Sequence, residues 1–161
     1  MSTEYCFDID TAEGYYRKLL KPAVDDFMRD RTSSPKALTS SLFLWHFTEW
    51  VVESHPAQLK KLGLGLCSIE ALRKHMVSKY PGYAYLEMVA NGAKHCRVDN
   101  KKLQGVKATE LSHGFYNPLG VTESHLVLKM KDGTTRFIDY DIVNSMKEWE
   151  SFIGKNLGWQ P

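Results

Sequence analysis

Hydrophobic residues recur at helical spacing along most of the first hundred residues of the chain. A first helix is predicted to begin at Asp10, because Glu13 three residues later completes the pattern of a capping box. Pro22 lies inside the apolar pattern of this segment and predicts either a kink or two shorter helices. Ser34 as N-cap and Pro35 at the first helical position begin a second helix. Because this second helix is apolar on nearly every side, we expect it at the centre of a bundle.

Two further helices complete the predicted bundle. Ser68 caps a third helix, which ends at the sequence YPG (residues 80–82), and a fourth helix is predicted from Tyr83 to about Arg97. The connections between the helices are short, which favours antiparallel neighbours. We therefore expect an antiparallel four-helix bundle over residues 8–98.

The periodicity changes to that of β-structure in the last third of the chain. GVKATEL is a candidate strand, and LVLKMKDGTTRFIDY has the alternation of a β-hairpin. Asp132 and Gly133 fit a two-residue type I′ turn, a register in which Leu128 would face Phe137. A last helix is predicted from about 141 to 157, before Gly158.

These elements predict an α+β protein that is mainly α: a four-helix bundle followed by a small β-hairpin sheet and a C-terminal helix. The chain has 161 residues, of which 43% are hydrophobic and 25% charged, as in an ordinary globular protein. We therefore expect a single domain over residues 1–161, with the bundle in 8–98 and the hairpin and last helix in 104–161.

Composition narrows the environment in which we expect the protein. No apolar run approaches the roughly 20 residues that span a bilayer, and the N-terminus resembles no export signal, so no membrane partner is expected. The three cysteines are odd in number and widely spaced without a CxxC motif, which indicates reduced thiols in the cytoplasm. The net charge of +2 implies no polyanion partner for the whole chain, so local clusters of charge must be considered instead.

The segment MVANGAKHCRV concentrates polar side chains near the end of an otherwise apolar helix. Its predicted inward stripe consists of Leu86, Val89, Ala90, Ala93 and Cys96. Asn91 and His95 fall roughly opposite that stripe and, being four residues apart, are neighbours on one face. An imidazole is suited to acid–base chemistry near neutral pH. The simpler interpretation is a solvated helix end, because the macrodipole alone favours His and Lys there.

The sequence LEMVANGAKH, preceded by the Trp-rich helix LFLWHFTEWVVE, resembles the HEPN-like helical bundles. In that superfamily the last bundle helix carries an Arg, often an Asn, and then a His. Many members are metal-independent endoribonucleases that dimerise through this face, and others bind nucleotides or are inactive. Asn91 and His95 match the pattern, whereas Met88, Val89 and Ala90 occupy the positions where the Arg would stand. The resemblance covers residues 11–97.

The resemblance implies an RNA- or nucleotide-associated homodimer without a cofactor, either an endoribonuclease or an inactive relative. In the nuclease, His95 would move the proton, and Asn91 with Lys94 or Arg97 would hold the phosphate during attack by the 2′-hydroxyl. Basic residues continue past the helix, the set being Lys94, Arg97, Lys101, Lys102 and Lys107. Such a patch attracts a nucleic-acid backbone, although a solvated loop has the same composition.

Two other classes of function compete with this hypothesis. His46, Glu49 and Glu53 share one face of the second helix, as metal ligands in bundles do, but the His-x-x-Glu spacing occurs only once, and we assign no metal site. We expect His46 and Glu49 to bond each other or a neighbouring helix, or to support His95 from behind. The remaining hypothesis is an interaction protein without catalysis, in which the face of Asn91 and His95 is the seam of a homodimer.

Overall fold

The structure, a computed structural model, describes residues 8–63, 65–94, 106–116 and 122–161, with side chains for 8–63, 65–91 and 124–161. The helices are α1 (Ala12–Tyr15), a π-helical turn (Tyr16–Leu20), α2 (Lys21–Arg29), α3 (Ser34–Ser54), α4 (Pro56–Lys61), α5 (Ile69–Lys79), α6 (Tyr83–Lys94) and α7 (Ile138–Asn156). The strands are β1 (Val106–Tyr116), β2 (Thr122–Met130) and β3 (Thr135–Phe137). The described chain is thus mainly helical, with a small antiparallel sheet and a C-terminal helix, as the sequence predicts.

Two predicted helix starts are wrong by one residue. Thr11, not Asp10, caps α1: its backbone is extended, and its hydroxyl accepts a 3.1 Å hydrogen bond from the Gly14 amide. Ser33, not Ser34, is the N-cap of α3, and its side chain makes no capping hydrogen bond. Adjacent residues of similar capping propensity compete for this position, and the residue with extended backbone dihedrals occupies it.

The segment around Pro22 forms a widened helical turn rather than a break. The Lys21 amide bonds the carbonyl of Tyr16 five residues back, closing the π-helical turn immediately before the proline. Proline lacks an amide proton and its ring crowds the carbonyl four residues earlier, and a π turn accommodates both effects. The predicted disturbance is confirmed, and its form is a π turn joining α1 to α2.

Helix α3 occupies the centre of the helical part, as its all-round hydrophobicity predicts. It packs against α1, α2, α5, α6 and α7. Leu44, Phe47 and Val51 are fully buried, and the Phe47 ring meets the edge of Trp149 of α7 at 4.8 Å between centroids. The buried Tyr83 hydroxyl lies within this core and donates to the carbonyl of Leu44 at 3.0 Å. The core therefore joins the first and last helices of the chain through α3.

The other helix ends follow local rules. Helix α3 ends at His55, as predicted, and the unpredicted short α4 follows. The Ser68 hydroxyl accepts from the Ala71 amide and caps α5, which ends before Tyr80 as predicted. The predicted continuation of α6 to Arg97 lies outside the described residues.

The hairpin between β2 and β3 differs from prediction by one residue in register. Leu128 pairs with Arg136, and Phe137 pairs with Val127, so the expected pairing of Leu128 with Phe137 is wrong. The Gly133 amide bonds the Met130 carbonyl at 3.1 Å, and Gly133 has φ +87°. These features define a three-residue loop ending in a left-handed glycine, instead of a two-residue type I′ turn.

Helix α7 begins directly after β3, three residues before the predicted start. Its stripe of Ile142, Met146, Trp149 and Ile153 is buried, as the periodicity predicts. Its first turn contains two buried carboxylates, Asp139 and Asp141.

Asp141 connects three parts of the chain. Arg136 of β3 donates to it twice, with Nη2 at 2.7 Å and Nε at 3.2 Å, and the Tyr80 hydroxyl after α5 donates at 2.7 Å. The guanidinium of Arg136 also stacks on the Tyr85 ring of α6 at 4.0 Å. Asp141 is 1% exposed, and bidentate charged bonds compensate its burial.

Gly82→Ala is predicted to destabilise the protein by about 1–3 kcal/mol, because overpacking a filled site displaces its neighbours. The added Cβ would overlap the Asp141 carboxylate and the Tyr80 ring. Urea unfolding at neutral pH measures the loss. Gly154→Ala is the matched control: Gly154 is a helical glycine with open space, where alanine should stabilise by about 1 kcal/mol. Equal stability of the two variants would contradict the packing argument.

Candidate functional site

Helix α6 carries the first predicted site residue, Asn91. Leu86 and Ala90 of the predicted inward stripe are buried, and Val89 is half-buried against the core. Asn91 is half-buried and follows Ala90 directly, so it lies at the border between the packed and the solvent side of α6. The predicted inward stripe is therefore confirmed as far as Ala90, whereas Asn91, predicted roughly opposite this stripe, is half-buried.

The structure does not describe the other side chains of the predicted phosphate site. Lys94 is the last residue of α6, and its side chain lies outside the described part. His95, Arg97, Lys101 and Lys102 also lie outside the described residues. Their assignment stays a prediction from the sequence.

His46 and Glu49 bond each other, as expected. The His46 Nδ1 and Glu49 Oε1 atoms lie 3.1 Å apart, and Arg73 of α5 donates to the same carboxylate at 2.9 Å. The guanidinium of Arg73 also stacks on the Trp45 ring at 4.1 Å. Because Arg73 of α5 binds the carboxylate of Glu49 on α3, this ion pair connects the two helices. Within the ranges that the structure describes, no three or more His, Cys, Asp and Glu side chains could hold a metal ion.

A second polar cluster, which no sequence pattern predicted, lies at the start of α7. His125 of β2 places its Nδ1 atom 2.8 Å from Oδ2 of Asp139, and Nη1 of Arg31 lies 3.7 Å from the same oxygen. His125 is 3% exposed and Asp139 1% exposed, whereas the Arg31 side chain is 36% exposed. A buried carboxylate thus lies between a buried imidazole and a guanidinium that reaches solvent.

Aromatic rings surround this imidazole. The His125 ring stacks on Tyr140 at 5.7 Å between centroids with an interplanar angle of 29°, and Phe137 meets its edge at 5.1 Å. Tyr140 is 47% exposed, although its neighbour in sequence, Asp139, is buried. The cluster therefore has a closed inner part and an aromatic outer surface.

A carboxylate bonded to Nδ1 is also how hydrolases orient a catalytic imidazole. Here both groups are almost completely buried, so the pair fixes β2 on the first turn of α7. Asp139 lies in the first turn of α7, where the macrodipole stabilises negative charge, although its buried Oδ1 atom has no hydrogen-bond partner among the described residues. The outer members, Arg31 and Tyr140, are the ones that a ligand can reach.

The comparisons with known proteins give no indication of the function of this chain. No family model, no curated protein and no solved structure matches the chain. In the described part of the chain, no helix is both long enough and apolar enough to cross a membrane.

Asp139→Ala is predicted to destabilise the protein by about 3 kcal/mol, because it leaves a buried imidazole and a guanidinium without their carboxylate. Urea unfolding measures the change, and a double-mutant cycle with His125→Ala should give a coupling energy of about 1 kcal/mol or more. Asp26→Ala removes an exposed carboxylate that binds Lys36 at 3.3 Å, and it should cost under about 1 kcal/mol. Additive effects in the cycle would show that the bond contributes nothing.

His55, between α3 and α4, is a titratable residue outside this cluster. Both of its ring nitrogens are buried, and neither has a hydrogen-bond partner in the part of the chain that the structure describes. Burial lowers the pKa of His55 below its ordinary value, and the negative charge of Glu13 partly offsets that effect. Burial, with Lys79, also lowers the pKa of His75.

We expect the free energy of unfolding to fall as the pH drops from about 6.5 toward the lowered pKa of His55. In this pH range His55 binds a proton in the unfolded chain but not in the folded protein. The full free energy of unfolding is therefore reached only above this range. His55→Phe should reduce this fall, and His75 should account for part of what remains. Urea midpoints between pH 7.5 and 5 measure both proteins. Identical pH profiles would contradict the assignment to His55.

Proposed function

We propose that this chain is a HEPN-like protein that binds RNA as a homodimer in the cytoplasm and cleaves it without a metal ion. In this proposal the segment 12–29 with α3, α5 and α6 forms the antiparallel four-helix bundle. The central position of α3 against these helices supports it. The cytoplasmic assignment is based on the cysteines, of which Cys67 is exposed and free.

The observation that carries the proposal is the packing of α6. Leu86 and Ala90 are buried, so the inward stripe is used by the chain's own core, and Asn91 is left at its border. His95 follows Asn91 by four residues, the spacing at which two helical side chains share a face. This is the pair that matches the Asn and His of the HEPN-like pattern.

The proposed chemistry needs only side chains of the protein. The ribose 2′-oxygen attacks the adjacent phosphorus as its proton moves to a base, and the bond from phosphorus to the 5′-oxygen breaks as that oxygen gains a proton. His95 serves as the proton-transfer group, and the products are a 2′,3′-cyclic phosphate and a 5′-hydroxyl. Asn91, with Lys94 or Arg97, stabilises the charge on the phosphate oxygens. Lys101 and Lys102 add electrostatic attraction for the strand.

Purified protein is predicted to cleave single-stranded RNA in EDTA, and His95→Ala to reduce the rate by at least about a hundredfold, the usual contribution of acid–base catalysis. His75→Gln, on α5, is the matched control and should cleave normally. Gel analysis of an end-labelled RNA gives the rates and the cyclic phosphate. Equal cleavage by wild type and His95→Ala would reveal a contaminating nuclease and remove the catalytic proposal.

Light scattering of the same samples tests the homodimer. A monomeric mass at all concentrations would contradict it. RNA binding and a dimeric mass without cleavage would instead indicate an inactive relative.

A further inference from the structure

Tyr140 is a rigidly supported ring at the protein surface. It is 47% exposed and one of two large hydrophobic residues exposed in the described part of the chain, the other being Ile69. Its ring is supported by the stack on His125, with 29° between the two planes, and by the edge-on contact with Phe137 at 5.6 Å between centroids. An aromatic ring already fixed in this way loses little entropy when a flat ligand stacks on it.

A partly exposed cation belongs to the same cluster. Arg31 lies 3.7 Å from Asp139, which is the residue before Tyr140 and the partner of the His125 ring that supports it. The nearby carboxylates of Asp26 and Asp30 are both bound by Lys36, at 3.3 and 3.8 Å. Arg31 is therefore held by the same carboxylate that binds the His125 ring under Tyr140, and Lys36 offsets one of the two negative charges of Asp26 and Asp30.

We infer that Tyr140 and Arg31 form a docking surface for single-stranded RNA, with a base stacked on the tyrosine ring and a phosphate held by the guanidinium. This inference rests on the proposed function and names where the strand binds. An exposed ring beside a cation is how proteins hold single strands without reading their sequence. Free nucleotides are instead bound in enclosed pockets, and a paired base has no face available for stacking.

Fluorescence anisotropy with an end-labelled, 2′-O-methylated oligouridine in EDTA tests the surface, because this probe lacks the hydroxyl needed for cleavage. Tyr140→Leu should raise Kd about tenfold, the usual value of one stacked base, and Tyr140→Phe should stay within about twofold of wild type. Ile69→Ala removes the other exposed hydrophobic side chain and should change nothing. Melting curves establish that each variant is folded at the assay temperature.

The salt dependence tests the cation separately. Arg31→Gln should reduce the slope of log K against log salt by about 0.7, the value for one phosphate contact to a single strand. Arg31→Lys should retain the slope, and Arg17→Gln, which removes an exposed arginine bound to Glu13 at 2.9 Å, should leave it unchanged.

The possible results distinguish this inference from the proposed function. If wild type binds and neither Tyr140→Leu nor Arg31→Gln weakens binding, the docking surface is overturned while RNA binding stands. If wild type binds no RNA, both are overturned. If the two variants lose binding as expected but His95→Ala leaves cleavage unaffected, the docking surface stands and the catalytic role of His95 does not.

Discussion

The structure depends on two carboxylates that are buried in the first turn of α7. Asp141 requires Arg136 of β3 and the Tyr80 hydroxyl, and Asp139 requires His125 of β2 and a guanidinium from the connection after α2. A buried carboxylate that loses its partners costs several kcal/mol, so α7 can begin here only when the sheet and the earlier helices are in place. The N-terminal end of the α7 macrodipole favours both charges. These contacts connect α7 and the sheet to Tyr80 and Arg31, which are far from them in sequence.

Periodicity predicts most of the helical part, because burial of one stripe or of a whole helix leaves a direct record in the sequence. It identifies α3 as central and α7 as amphipathic. Periodicity does not determine the length of a loop, and the register of the β2–β3 hairpin was therefore predicted wrongly. The three-residue loop, with Gly133 in the left-handed region, aligns Leu128 with Arg136. Directly paired residues share a face of a sheet, so this register puts Arg136 on the side where it reaches Asp141. A two-residue loop would have put Phe137 there.

The polar cluster at α7 was not predictable in the same way. His125 and Asp139 are 14 residues apart, and Arg31 belongs to a different part of the chain, so no spacing rule connects them. The acidic residues in IDYD do indicate a helix N-terminus, and that indication would have moved the predicted start of α7 to before residue 141. By contrast, the burial of Leu86 and Ala90 on α6 followed from the periodicity of that helix, although Asn91, predicted opposite this stripe, is half-buried. Local geometry was predictable, and partners from distant elements were not.

The exposure of Tyr140 follows from the burial of its neighbours. Consecutive helical residues are separated by about 100° around the axis, so a carboxylate directed inward on each side of residue 140 leaves this side chain at the surface. Rotating the first turn of α7 to bury the ring would extract Asp139 from His125 and Asp141 from Arg136. The ring is therefore held in place by the same contacts that stabilise the fold. A ligand that stacks on the Tyr140 ring therefore contacts a preorganised surface. The conformational entropy of this surface was already lost on folding, so binding does not lose it again.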